Sequence, residues 1–300
     1  MSFTIEPRGE FSLAASTRFL EGFTPAAYRG SSGPGETVLR LAFPVEGDWT
    51  TAGVAVRQRD DGVIVAEVAG DDPPGLRDQL ARILSLDADG TGFAAVRRRD
   101  PVVDKLAHEY GGLRPVGFHS PYEAACWAMI SHRIRIVQAA AIKERIADAH
   151  GEKVTVDGVV LAAFPGPRQL LRALDQLGLP EIKVDRLRGI AEAALDGRLD
   201  GGRLRAMDPA EAIEEVRRLD GVGPFSADLI VIRGACAPDV FATSERRLHD
   251  SMAQLYDLPD TALPRLQAVA ERWAPYRSWV GVLIRTHRED TTGEIAGRAR

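Results

Sequence analysis

Residues Leu219 to Gly234 read LDGVGPFSADLIVIRG, and the stretch DVFATSERRLHD follows closely. A tight glycine turn opens an apolar helix, and a carboxylate, Glu245, lies further along. Gly221 and Gly223 permit φ > 0 and leave their backbone N–H groups uncovered. Those groups, with the positive end of the following helix dipole, make an anion site. Val222 between them is apolar and anchors the turn in a core. Phe225 and Ser226 open the helix behind it. No strand precedes the turn, so it differs from a dinucleotide-binding loop. The spacing suits a duplex phosphate and equally suits a purely structural turn.

Other chemistry is thinly represented. His132 has a side chain whose pKa suits general acid or base work, without a partner evident from the sequence. No Ser/His/Asp order or nucleophile-elbow motif stands out. Cys126 and Cys236 are the only cysteines. Two distant cysteines exclude a disulfide framework and a multi-cysteine zinc or iron–sulfur site. Both read as buried small hydrophobes, and a reducing cytoplasm is expected. No metal and no cofactor is expected. The net charge of −5 argues mildly against strong non-specific nucleic-acid binding, although arginines cluster at Arg97–Arg99, Arg133 with Arg135, Arg217–Arg218, Arg246–Arg247 and Arg285 with Arg288.

The elements that must position these residues fall into two parts. The chain of 300 residues is 45% hydrophobic and 27% charged, with no apolar run long enough for a membrane span and no secretory signal pattern at its start. Residues 1–112 read as a small α+β domain: ETVLRLAFPV, TAGVAVRQRD and GVIVAEVAG are antiparallel strands, and PPGLRDQLARILSL is a helix. Residues 113–300 read as helical almost throughout. SPYEAACWAMISHRI opens with Ser120 as N-cap, Pro121 at the first position and Glu123 at the third, with a stripe through Ala124, Trp127, Ala128 and Ile130. Gly151, Gly178 and Gly197 close three further helices. Two last helices are expected over 245–256 and 264–286.

Taken together, LDGVGPFSADLIVIRG and PDVFATSERRL resemble the helix-hairpin-helix with Gly/Pro loop of the base-excision DNA glycosylases, more narrowly their 3-methyladenine glycosylase II branch. FPGPRQLLRAL, LRGIAEAALDGRLD and AERWAPYRSWVGVLI resemble further segments of that branch in order, and RILSLDADGTGFAAVRRRDPVV resembles the end of its TATA-binding-protein-like N-terminal domain. The resemblance implies a monomer that grips duplex DNA, flips a lesioned nucleotide into a pocket between the domains and cleaves the N-glycosidic bond. It places the catalytic carboxylate at Glu245, where the branch carries aspartate. One extra methylene adds roughly 1.5 Å of reach. The position of the lyase lysine is Phe225, which cannot form a Schiff base, so base release without strand cleavage is expected. Neither metal nor membrane is implied.

The pocket departs from the branch. Phe225 keeps one aromatic position, whereas the others fall on Leu229, Arg246, Arg285 and Thr286. Arginines there should repel a cationic base and could instead pair with a phosphate or a neutral, oxygen-rich base. The wedge segment reads SHRIR, with Arg133 at the wedge position and His132 beside it. Tyr276 and Trp279 read as core more than as stacking platform. The alternative function is a DNA-binding protein that has kept the fold and lost base excision. A scaffold without DNA binding has only the net charge in its support.

Overall fold

The computed structural model describes residues 1–26, 28 and 37–293. Near the N-terminus lies an antiparallel sheet of order β1-β4-β3-β2, comprising β1 (Ser2–Ile5), β2 (Leu39–Pro44), β3 (Thr51–Gln58) and β4 (Ile64–Ala69). The three longer strands lie where β-branched alternation places them. β1 went unread because four residues carry too little pattern; it is fixed by pairing with β4 from Ser2↔Glu67 to Ile5↔Ile64. One face of the sheet buries Leu39, Leu41, Val54, Val56 and Ile64 against α1 (Leu13–Gly22) and α2 (Leu76–Ile83).

The other face is covered from far along the chain. A hairpin of β5 (Lys153–Val156) and β6 (Val159–Ala162) turns at Asp157 and Gly158, both at positive φ (49° and 77°). An Asp-Gly pair at positive φ is the signature of a two-residue hairpin turn. Val156 packs with Val38 and Ala55, and Asp157 pairs with Arg40 at 2.5 Å and Arg57 at 3.2 Å. Gly53 makes this approach possible: a Cβ there would lie 2.6 Å from side-chain carbons of both Val154 and Val156. Gly53→Val is therefore expected to lift the hairpin and cost about 1–3 kcal/mol, the usual penalty of overpacking. A urea titration with unchanged midpoint would show that the contact is dispensable.

The rest is helical. α3 (Phe93–Arg99), α4 (Pro101–Glu109), α5 (Pro121–Ser131), α6 (Ile136–His150), α7 (Pro167–Ala173) and α8 (Glu181–Leu195) precede α9 (Gly201–Ala206), α10 (Pro209–Arg217) and α11 (Pro224–Leu229). α11 continues into a π-helical turn, Ile230–Gly234, and α12 (Arg246–Leu255), α13 (Leu263–Ala270) and α14 (Arg277–Thr292) follow. The expected single helix over 264–286 is broken: a short 3-10 turn and Pro275 separate α13 from α14. α5 lacks the expected one-sided stripe. Pro121 through Ile130 are all buried, which makes it the central helix of the core. Ser120 does cap it, accepting from Glu123 N–H at 3.1 Å.

The division at 112 needs adjustment in packing terms. Val96, Val103 and Leu106 of α3 and α4 join the helical core, not the core under the sheet. Asp100 explains the attachment: it caps α4 through the N–H groups of Val102 and Val103, and accepts from Tyr256 Oη (3.0 Å) and Trp273 Nε1 (3.3 Å). A buried carboxylate with four donors is well compensated. Arg114 clasps the two cores together. It donates to the carbonyls of Arg8, Glu10, Ser85 and Ala88, and lies 4.9 Å from the Trp279 ring. Tyr276 and Trp279 are buried, in agreement with their reading as core.

Candidate active site and the glycine hairpin

The hairpin is where the sequence puts it. α10 ends at Arg217, and Leu219–Gly223 turn the chain into α11, whose first residue is Pro224. Gly221 sits at φ 80°, and a Cβ on it would collide with the Arg186 side chain at 2.6 Å. Gly223 corrects the expectation: its φ is −84°, so left-handed backbone is not its reason. A Cβ at 223 meets nothing within 4 Å, which leaves the backbone bare toward solvent. Val222 is buried and anchors the turn through its N–H to Leu219 O at 3.1 Å. Arg186, Arg217 and Arg218 line the same open concavity. No side chain caps α11, so its leading N–H groups keep their dipole exposed.

Beside the hairpin lies a cleft of about 670 Å³. His132, Phe225, Ser226, Leu229, Glu245 and Arg285 all line it, from four separate parts of the chain. Arg246 does not. Glu245 is the N-cap of α12, and successive helical side chains diverge by about 100°. Arg246 therefore points to solvent, and Arg247 lines the cleft instead. Arg133 is exposed at the α5–α6 turn, in left-handed backbone (φ 57°), and is not among the lining residues. Lys183 fixes that turn by donating to Ile130 O (2.6 Å) and His132 O (3.0 Å), the otherwise orphaned carbonyls at the end of α5.

Glu245 does not cap its own helix. Its Oε1 instead meets Arg285 Nε at 2.5 Å, with the two side chains 27% and 17% exposed. Burial and the charges of Arg186, Lys183 and Arg133 push the His132 pKa down. Phe225 is 53% exposed at the mouth of the cleft. No lysine is among the described residues that line it. Rings reach the cleft from elsewhere in the chain. Phe19, Phe23, Tyr110 and Trp127 supply them from outside the positions where the branch carries its own.

No protein-family profile matches the chain. Its sequence is 26% identical over 199 residues to the DNA-3-methyladenine glycosylase of Bacillus subtilis, covering 65% of each chain. It is 29% identical over 172 residues to DNA-3-methyladenine glycosylase 2 of Escherichia coli, covering 56% of this chain and 58% of that one. The matched stretches thus span less than two thirds of those relatives' length. In fold, the 3-methyladenine DNA glycosylase of Archaeoglobus fulgidus superposes with a TM-score of 0.78 at 19% identity, over 97% of this chain and 99% of that one. A Clostridium acetobutylicum 8-oxoguanine glycosylase/lyase bound to double-stranded DNA gives 0.66 at 18% identity, over 94% and 93%. The chain thus resembles DNA-3-methyladenine glycosylases in sequence and shares its fold with solved DNA glycosylases. The fold is mostly helical, with a small antiparallel sheet near its N-terminus.

Two residues of this cleft were missed in the sequence. Asp228 is buried and lines the cleft, and its Oδ2 accepts from Ser244 N–H at 3.0 Å, one residue before Glu245. Burial pushes its carboxyl up, the bonds to Ser244 pull it down, and the charge of Glu245 raises it again. It is the one acid between Pro224 and Gly234, a mild signal in an otherwise apolar helix. Arg233 is the second. Its guanidinium lies 4.4 Å from the Phe23 ring centre and 5.1 Å from that of Phe19, and donates to Val116 O at 2.6 Å. Burial lowers its pKa to about 10, which leaves it charged.

Proposed function

We propose that this chain is a monofunctional DNA glycosylase of base-excision repair, acting on alkylated or otherwise damaged bases in duplex DNA. The observation that carries the reading is the convergence of Glu245, Phe225 and Leu229 on one cleft beside an uncapped Gly-x-Gly hairpin. In this reading Gly221, Val222, Gly223 and Ser226 hold a phosphate with Arg186, Arg217 and Arg218 around it. Arg133, with His132 behind it, fills the gap left by the flipped nucleotide. Glu245 faces the sugar, where its charge stabilises an oxocarbenium-like transition state and it orients the attacking water. With Phe225 in place of a lysine, no Schiff base forms and the strand stays intact.

We assign residues 1–112 to a TATA-binding-protein-like part and 113–300 to the helix-hairpin-helix part, with α3 and α4 riding on the latter. The protein acts as a cytoplasmic monomer without metal or cofactor. The deciding assay is release of free base from methylated duplex, followed by alkali to reveal abasic sites. Alkali-dependent breaks without spontaneous nicking are the expected result, and nicking before alkali would overturn the monofunctional assignment. The Arg285–Glu245 contact favours a second reading, in which the acid is silenced and the protein only binds duplex; intact base beside tight binding would support it.

The hairpin has its own test. Gly223→Asp puts a carboxylate on the bare side of the turn without steric cost in the protein. Loss of a charge-assisted contact of about 1.5–3 kcal/mol corresponds to a drop in duplex affinity of roughly 10–100-fold. A fluorescence-anisotropy titration at fixed salt measures it, and unchanged affinity would remove the hairpin from the interface.

A further inference from the structure

We propose that Arg285 directs the cleft toward neutral bases bearing a carbonyl oxygen, in preference to cationic N-alkylated purines; this rests on the glycosylase reading above. The first observation is positional: a guanidinium stands in the cleft within 2.5 Å of the acid that would face the sugar. The second concerns the rings. Aromatic faces attract a cationic base, but Phe19 and Phe23 already hold the Arg233 guanidinium at 5.1 and 4.4 Å. A cationic base entering there finds two ring faces already taken by a guanidinium and a second guanidinium beside the acid. Arg277, by comparison, is held by Asp239 and Glu271.

The chemistry gives the arginine a use. When the bond between C1′ and a neutral base breaks, its electron pair moves onto the base and delocalises onto the carbonyl oxygen. A guanidinium N–H at that oxygen stabilises the growing charge. The oxygen of water bonds to C1′, and its proton passes through Glu245 to the leaving nitrogen. A sugar hydroxyl and a neutral base result, with atoms and charge balanced. A cationic base departs already neutral and gains nothing from the arginine. Turning toward the base also frees Glu245 Oε1 from its ion pair, so a base with an acceptor oxygen releases the catalytic acid on arrival.

The test is single-turnover base release from two duplexes, one with hypoxanthine and one with 7-methylguanine, by wild type, Arg285→Met and Arg285→Lys. Wild type should favour hypoxanthine. Arg285→Met should shift the rate ratio toward 7-methylguanine by at least about tenfold, and Arg285→Lys, which keeps the charge, should recover part of it. A structural defect would lower both rates together and leave the ratio unmoved. Parallel loss, or a wild-type preference for 7-methylguanine, overturns the inference and leaves the glycosylase reading standing. Release of neither base by any variant overturns both.

Discussion

Glu245→Gln is expected to slow base release by at least about a hundredfold, in line with the loss of one charge-stabilising group in a preorganised site. Duplex affinity should stay within about twofold. The amide has the shape of the acid and can still accept from Arg285 Nε through its oxygen, so the 2.5 Å contact has a neutral successor. What disappears is the negative charge beside the sugar. Glu245→Asp separates reach from charge. It withdraws the carboxylate by roughly 1.5 Å and breaks the contact with Arg285. A faster Asp variant would mean that the ion pair holds the native acid back; a slower one would mean that the longer side chain is fitted to this cleft. Single-turnover kinetics on one lesion measures all three, and full activity in the Gln variant would move the chemistry to another group, with Asp228 the adjacent carboxylate.

The second large effect is on stability. Glu123 and Lys143 are both buried, with Oε1 and Nζ 2.6 Å apart; His119 Nδ1 approaches Oε2 at 2.8 Å, and Nζ also donates to Pro25 O at 3.0 Å. Lys143→Met leaves the buried carboxylate with His119 as its one remaining charged partner and should cost roughly 3–5 kcal/mol. Adding Glu123→Gln to it should restore part of that loss. The pH dependence carries the sign. Burial by itself would raise the Glu123 carboxyl, but His119 and Lys143 outweigh it and hold the group well below the usual range. Its folded pKa lies below its unfolded one, so its contribution is present above about pH 4.5 and fades as pH falls toward the folded value. Lys143→Met weakens the hold on the charged form, so protonation costs the variant less than it costs wild type. Thermal melts at pH 7 and pH 5 should bring the variant closer to wild type at the lower pH; a constant gap would exclude Glu123 as the source.

The local parts of the site were legible. A Gly-x-Gly-Pro turn between two helical patterns carries its own backbone logic, and Glu245 was reached through the resemblance of DVFATSERRL to the glycosylase motif. The parts that failed depend on contacts across the chain. Asp228 acquires a role only because folding brings Ser244 N–H to it, and Phe19 of α1 and Phe23 just beyond it join the cleft from more than two hundred residues before Glu245. Arg246 was assigned to the cleft and Arg247 was not, because a one-residue difference decides which side of α12 a side chain takes. The β5–β6 hairpin did carry an Asp-Gly signal, but its strands are four residues each and lie between strongly helical segments.

That hairpin also sets an order of events during synthesis. The outer face of the sheet formed by residues 39–69 is sealed by Val154 and Val156, and its Arg40 and Arg57 find Asp157 only when the chain has grown to that point. Closing a loop of this length before any reward is gained makes the step slow. A nascent chain ending near residue 112 would hold a sheet with one open face, so the N-terminal part reaches its final packing after α5 and α6 have been made, and a fragment cut at that boundary should be prone to self-association.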